Sequence, residues 1–143
     1  MPMNHKVFLA QFDAIKKLAS EGPCVMVGRC ADYALAEYKD CFSVFVHADT
    51  DWRISRLSQK HNKTAKEAKD MINKTDKSRS SYYNYYTNKK WGAAASYNLC
   101  VDSSNQVTFA YLLKSLLHTY SSHFCIPTQF TFAYLLKSLL HTY

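Results

Sequence analysis

The sequence predicts an α/β fold in which a parallel sheet is flanked by helices. Three short apolar runs, at residues 24–27, 41–46 and 97–102, have the length and composition of strands. They alternate with segments whose apolar residues recur at helical spacing. Strands that alternate with helices usually pair in parallel, so this order favours a layered α/β domain. The sequence also predicts a long polar helix that resembles a lid, and a helical C-terminal appendage.

The first predicted helix covers residues 5–20 and ends at Gly22 and Pro23. The strand that follows, residues 24–27, is apolar throughout, which is typical of a strand buried on both faces. After the second strand, either Asp49 or Thr50 can cap the next helix.

A long polar helix is predicted over residues 64–86. Thr64 and Glu67 have the spacing of a capping box at its start. The helix has few strongly apolar positions, so we expect it to project over a cleft rather than to lie in the core. The third strand leads into a turn at residues 102–105, and an amphipathic helix is predicted over residues 107–120.

The C-terminal part contains a near-duplicate. Residues 106–120 and 129–143 are the same fifteen residues except for Val107 against Phe130. Two copies are too few for a solenoid. We therefore expect a domain over residues 1–120 and an appendage over residues 121–143. Three roles stay open for the second copy: docking in the place of a missing element, competing with the first copy, or making an oligomer contact.

Composition narrows the class of protein. The chain has a net charge of +7, which favours an anionic partner such as a nucleotide. No apolar run is long enough for a membrane span, and no secretory signal pattern is present. The five cysteines lack C-x-x-C spacing and the six histidines lack metal-ligand spacing, which argues against a disulfide scaffold and a zinc site. A reducing, cytoplasmic setting is expected.

Arginine is rare and its placement is informative. Of eighteen basic residues, the only arginines are Arg29, Arg53, Arg56 and Arg79. Guanidinium groups bind phosphate bidentately, whereas lysine acts as a point charge. This pattern indicates phosphate recognition. Salt bridges on helix surfaces are the alternative, above all for Arg53 and Arg56.

Residues 24–103 resemble the cytidylate-kinase-like branch of the P-loop nucleoside monophosphate kinases. The resemblance rests on Gly28-Arg29-Cys30-Ala31-Asp32, on Arg53 with Arg56, on Asp76-Lys77-Ser78-Arg79, on Lys90-Trp91-Gly92 and on Tyr97-Asn98-Leu99-Cys100. It implies a partial P-loop-kinase fold. It also implies transfer of the ATP γ-phosphate to CMP or a similar nucleotide, with magnesium.

The same resemblance assigns the substrate-binding residues. Arg29 would contact the acceptor nucleotide and Asp32 would orient it, with helix capping as the alternative for Asp32. Asp76 would read the cytosine edge and Arg79 would bind the transferring phosphates, as both a substrate-binding and a catalytic residue. An intrahelical ion pair is the alternative for Asp76 and Arg79.

On the ATP side, the resemblance places Arg53 and Arg56 against the cofactor, with Arg56 also catalytic. Ser103 would line the adenine pocket, although a role in the turn is equally open. No protein-held metal site is assigned.

We expect the N-terminal P-loop of this family, its glycine-rich phosphate-binding loop, to be missing. The sequence has three glycines, Gly22, Gly28 and Gly92, and none of them lies in such a loop. We therefore expect impaired turnover. A non-catalytic nucleotide-binding module is an alternative function. A single-stranded RNA binder is a further one, because tyrosines and lysines interleave over residues 74–91.

Overall fold

The structure is a computed structural model that describes residues 5–104 and the backbone of residues 124–126. Its elements, in chain order, are α1 (His5–Glu21), β1 (Val25–Val27), α2 (Ala31–Ala34), β2 (Phe42–His47), α3 (Thr50–His61), α4 (Ala65–Thr87), a 3-10 turn (Ala94–Ser96), β3 (Leu99–Asp102) and β4 (Phe124–Ile126).

The described strands form one parallel sheet in the order β1-β4-β2-β3. The predicted α/β fold with a parallel sheet is therefore confirmed. Strand β4 was not predicted, and the division of the chain at residue 120 did not anticipate it. It pairs with β1 over all three of its residues and with β2 through Phe124 and Cys125. The predicted helix at 107–120, the near-duplicate and the proposed oligomer contact lie outside the described residues.

Burial differs between the first two strands. The prediction that the first strand is buried on both faces is wrong, because Val25 is 36% and Val27 43% exposed. β1 is one of the two edge strands of the described sheet. Strand β2 lies inside the sheet instead, and there Val44 and Val46 are fully buried.

Helix α1 packs against two other helices. Near its C-terminal end, Ile15 and Ala19 form a core cluster with residues of α2 and its C-cap, Leu35. Near its N-terminal end, Phe8 packs with Cys30 and with Tyr83 of α4. The same helix therefore supports both the β1–α2 loop and the C-terminal half of α4.

The capping box at the start of α4 is confirmed. The Thr64 side chain accepts a hydrogen bond from the Glu67 backbone N–H, and Glu67 accepts one from the Thr64 backbone N–H at 2.9 Å. Asp49 occupies the N-cap position of α3 but makes no capping hydrogen bond with its side chain. Helix α4 buries Ala68 and Ile72 on one side, and its role as a lid stays a prediction.

Candidate functional site: an arginine-lined cavity

The loop after β1 has an unusual backbone. Gly28, Arg29 and Cys30 all have positive φ angles, of 71°, 57° and 56°. Glycine adopts this region without strain, whereas each non-glycine residue there costs about 1 kcal/mol or more. The turn is closed by a 3.1 Å hydrogen bond from the Ala31 N–H to the Gly28 carbonyl. It brings Arg29 to the carboxyl end of β1, where open α/β sheets bind ligands.

A cavity of about 360 Å³ lies between this loop and α4. Its lining joins the loop, the middle of α4 and one residue beyond that helix: Val27, Gly28, Arg29, Cys30, Ser78, Arg79, Tyr82, Tyr83 and Trp91. Arg29 and Arg79, which are distant in sequence, therefore face a common space. Arg29 is exposed, and the Arg79 side chain is 36% exposed. Burial lowers the pKa of Arg79, while the nearby Asp76 raises it.

Aromatic side chains give the cavity a fixed wall. The Trp91 ring meets Phe45 of β2 edge-on, with ring centroids 5.6 Å apart. The Trp91 backbone N–H donates to Asn84 Oδ1 at 2.7 Å, which ties it to the end of α4. Tyr82 is held in turn by a hydrogen bond from its hydroxyl to Gln11 of α1 at 3.1 Å. Two guanidinium groups beside rigid rings can bind a phosphate attached to a flat ring.

Sequence reasoning did not assign Tyr82, Tyr83, Trp91 or Ser78 to the site. The two tyrosines could have been found from their position in the sequence. They stand three and four residues after Arg79 on one helix, so they share the helix face of Arg79.

Cys30 also lines the cavity but is not a nucleophile. Burial, helped by the charge of Asp32, raises the pKa of its thiol to about 12. A thiol attacks as the thiolate, so this side chain stays protonated and inert near neutral pH.

Asp32 lies behind the cavity wall. Its Oδ2 accepts a 2.6 Å hydrogen bond from the hydroxyl of Tyr83, and the ring of Tyr83 faces the cavity. Asp32 itself is buried in the first turn of α2 and borders a second, separate space of about 290 Å³ near Lys89 and Asn98. Burial raises the pKa of Asp32, against a lowering by the Tyr83 hydrogen bond and by the charge of Lys89. Asp32 thus stands next to the predicted site without lining it.

Asp76 is engaged by Arg53. Arg53 Nη2 lies 2.9 Å from Asp76 Oδ1, and Arg53 Nη1 lies 2.8 Å from Asp76 Oδ2. The pair joins α3 to α4, and the Arg53 side chain is only 8% exposed. Arg79 Nη1 lies farther from the same carboxylate, at 3.9 Å. Of this group only Arg79 lines the cavity.

The structure does not bring the other predicted ATP-side residues to this cavity. The Arg56 guanidinium stacks on Trp52 of its own helix, with the guanidinium carbon 5.2 Å from the ring centroid. The hydroxyl of Ser103 donates to the His47 carbonyl at 3.0 Å, and its N–H donates to the same oxygen at 2.8 Å. Ser103 therefore links the carboxyl ends of β3 and β2, and its two expected roles, in the adenine pocket and in the turn, stay predictions.

Three of the four tyrosines of α4 are packed against other residues, which argues against the RNA alternative. Tyr86 stacks on Phe8 with ring centroids 3.9 Å apart, Tyr83 is buried, and Tyr82 contacts α1. Only Tyr85 of these four is largely exposed, at 72%. A stacking platform for successive bases is therefore not formed by this helix.

Within the part of the chain that the structure describes, no three histidine, cysteine or acidic side chains come together to hold a metal ion. Among the same residues, no helix has both the length and the apolar character needed to cross a membrane.

A solved structure, described as an uncharacterized protein from Eubacterium ventriosum ATCC 27560, superimposes with a TM-score of 0.71 at 28% sequence identity, covering 82% of this chain and 68% of that one. No curated protein matches the sequence. The profile of the cytidylate kinase-like family matches residues 1–105. That match indicates a kinase-like, nucleotide-related function in general terms, and it covers every residue of the cavity. The chain belongs to the cytidylate kinase-like family.

Proposed function

We propose that the cavity binds a nucleoside monophosphate, CMP or a similar nucleotide, as the acceptor in ATP-dependent phosphoryl transfer. The single observation that carries the proposal is that Arg29 and Arg79 line one cavity together with aromatic rings. The two planar guanidinium forks suit the oxygens of a terminal phosphate. The partly exposed rings of Tyr82 and Trp91 suit the flat face of a base or sugar.

Residues behind the lining support those that touch the nucleotide. Asp32 acts on the site through the hydroxyl of Tyr83, and Asp76 through its contacts with Arg53 and Arg79. Neither carboxylate lines the cavity, so neither accepts a hydrogen bond from the base directly in this arrangement. Recognition of the base edge is therefore weaker than the resemblance implies.

The ATP side is less complete. By resemblance, Arg56 and Ser103 would contact ATP, and Arg56 would help to neutralise the transferring phosphate. Magnesium would supply charge neutralisation for the ATP phosphates. Since the described residues form no acidic cluster, we propose that it arrives bound to the nucleotide rather than to the protein. The cytoplasmic setting and an oligomer contact through the C-terminal part also remain proposals.

Titration calorimetry with CMP at low ionic strength tests the acceptor site. We expect measurable binding by the purified chain and a loss of at least tenfold in affinity for Arg79→Met, because a charge-assisted phosphate contact is removed. Lys69→Met is the matched control, since Lys69 is an exposed cation on the same helix outside the cavity lining. Equal losses in the two variants would mean that only total charge matters, and the proposal would fail.

The alternative of a non-catalytic nucleotide-binding module is favoured by one observation. Arg53, which the resemblance assigns to ATP, is buried and occupied by Asp76. CMP binding without ATP binding, and without turnover in a coupled kinase assay, would support this alternative over the enzyme.

A further inference from the structure

The described residues that line the cavity offer a ligand no side-chain carboxylate and no side-chain amide. Besides the weakly bonding thiol of Cys30, their polar groups are two guanidinium groups, three hydroxyls and one indole N–H, on Arg29, Arg79, Ser78, Tyr82, Tyr83 and Trp91. Guanidinium and indole groups only donate hydrogen bonds, whereas a hydroxyl can both donate and accept. This part of the lining is therefore rich in donors and has no charged acceptor.

The two nearest carboxylates lie outside the lining, and both have protein partners. The oxygens of Asp76 meet Arg53 at 2.9 and 2.8 Å. Asp32 is 8% exposed and accepts the hydroxyl of Tyr83 at 2.6 Å. Turning Asp76 toward a ligand would break its contact with a buried guanidinium, and turning Asp32 would break a buried hydrogen bond. Either movement is costly.

The backbone carbonyls of the same lining are also used within the chain. The Gly28 carbonyl accepts the Ala31 N–H at 3.1 Å, and the Cys30 carbonyl accepts the Tyr33 N–H at 3.0 Å. Residues 78–83 lie inside α4, where each carbonyl accepts the N–H four residues further on. These carbonyls therefore already have a hydrogen-bond partner.

Cytosine and uracil differ at one ring position, which carries an amino group in cytosine and a carbonyl in uracil. A site distinguishes the two bases when it holds a fixed acceptor against the amino group, because the carbonyl leaves that acceptor unpaired. A hydroxyl imposes no such choice, since it donates to the carbonyl or accepts from the amino group. The Tyr82 hydroxyl already donates to Gln11, but its oxygen can accept from the amino group of cytosine or from the ring N–H of uracil.

We propose that the cavity binds UMP as tightly as CMP, because it recognises the phosphate and a flat face of the ring and does not distinguish an amino group from a carbonyl. The guanidinium groups of Arg29 and Arg79 would bind the phosphate, and Tyr82 and Trp91 would contact the ring. The inference rests on the proposed function of the cavity as a nucleotide site. It departs from the recognition of cytosine by Asp76 that the family resemblance implies.

Titration calorimetry at low ionic strength compares CMP, UMP and ribose 5-phosphate on the same chain. UMP should bind within about fivefold of CMP, because no fixed acceptor is left unpaired. Ribose 5-phosphate keeps the phosphate but lacks the ring, so it should bind at least about fivefold more weakly than UMP. A larger preference for CMP over UMP, or a smaller difference between UMP and ribose 5-phosphate, would overturn the proposal.

A substitution in the lining tests the contact with the ring. Tyr82→Leu removes an aromatic ring from the cavity, so the affinities for CMP and UMP should fall together, by at least about threefold. Tyr85→Leu is the matched control on the same helix, because Tyr85 is 72% exposed and lies outside the lining, and it should change neither affinity. Equal losses in the two variants, or a loss in Tyr82→Leu for one nucleotide alone, would contradict the proposal.

Asp76→Ala separates the proposal from recognition of the base by this carboxylate. Because the change also disturbs the ion pair with Arg53, the quantity compared is the ratio of CMP to UMP affinity rather than either affinity alone. The ratio should stay within about threefold of that of the natural chain. A larger fall would show that Asp76 accepts the cytosine amino group and would overturn the proposal. Asp76→Asn is the second variant in case Asp76→Ala does not fold, and the same limit applies to it.

Failure of this inference and failure of the proposed function give different results. If the chain binds CMP, Arg79→Met weakens that binding and UMP is rejected, the proposed function stands and only this inference fails. If the chain binds neither nucleotide, both fail.

Discussion

Arg53 and Asp76 form a two-pronged ion pair across α3 and α4, with the Arg53 side chain 8% and the Asp76 side chain 22% exposed. The sequence suggested that both residues contact nucleotides, and the structure shows that they contact each other. The pair lies next to Arg79 without lining the cavity. It can therefore influence the site through its charges, which act on Arg79, and through the contact of Asp76 with Arg79.

The stability contributed by this pair can be measured directly. Asp76→Asn leaves the buried Arg53 without its carboxylate, and we expect the free energy of unfolding to fall by about 2–3 kcal/mol. Arg53→Met should cost a similar amount, and R53M/D76N should cost clearly less than the sum of the two. Urea unfolding checks this, and strictly additive losses would show that the two side chains do not stabilise each other.

The Tyr83 hydroxyl provides a second test, with a built-in control. Tyr83→Phe removes the 2.6 Å hydrogen bond to Asp32, whose other oxygen, Oδ1, has no hydrogen-bond partner among the described residues. Leaving a buried carboxylate less satisfied should cost about 1–3 kcal/mol of stability. Tyr85→Phe makes the same chemical change on a residue that is 72% exposed and should cost almost nothing. Equal unfolding midpoints for the two variants would contradict the account.

The raised pKa of Asp32 predicts a pH dependence of stability. Because burial raises this pKa in the folded chain above its ordinary value of about 3.9, the native state holds the proton more tightly than the unfolded state. The stabilising effect of the protonated form is complete below about pH 4 and is lost as pH rises through the folded pKa.

Asp32→Asn removes this titration, while its amide oxygen can still accept the Tyr83 hydrogen bond. The stability of Asp32→Asn relative to the natural chain should therefore increase as pH rises from about 4 through the raised folded pKa of Asp32. Urea unfolding at several pH values measures the difference. A difference that does not change with pH would show that Asp32 has an ordinary pKa.

Backbone strain at Arg29 predicts that stability and binding can be separated. Asparagine tolerates a φ near 57° better than arginine does, so Arg29→Asn should keep or raise the unfolding temperature. The same change removes one guanidinium from the cavity, and CMP affinity should fall at least tenfold. A variant that lost stability and kept its affinity would reverse both expectations.

Much of the described fold could be predicted because its signals are local. Pro23 and Gly28 bound β1, Thr64 and Glu67 cap α4, and alternating strands and helices indicate parallel pairing. Strand β4 was missed although Phe124, Cys125 and Ile126 form an apolar run before Pro127, the same kind of signal that marks β1. The near-duplicate segments lie on either side of this run, and they led us to expect a helical appendage there instead.

The candidate site was predicted in part, because Arg29 and Arg79 come from segments with a clear family resemblance. The two arginines share a cavity. What the sequence could not reveal is which polar groups pair with each other. Asp32 with Tyr83 and Arg53 with Asp76 are contacts between residues far apart in the chain, and they depend on how α2, α3 and α4 pack.

A crystal structure of the 143-residue chain grown with CMP is the most direct test of the central claim. The account predicts that the phosphate lies within hydrogen-bonding distance of the guanidinium groups of both Arg29 and Arg79. A nucleotide whose phosphate touches neither arginine, or which binds outside the cavity between the β1–α2 loop and α4, would contradict it.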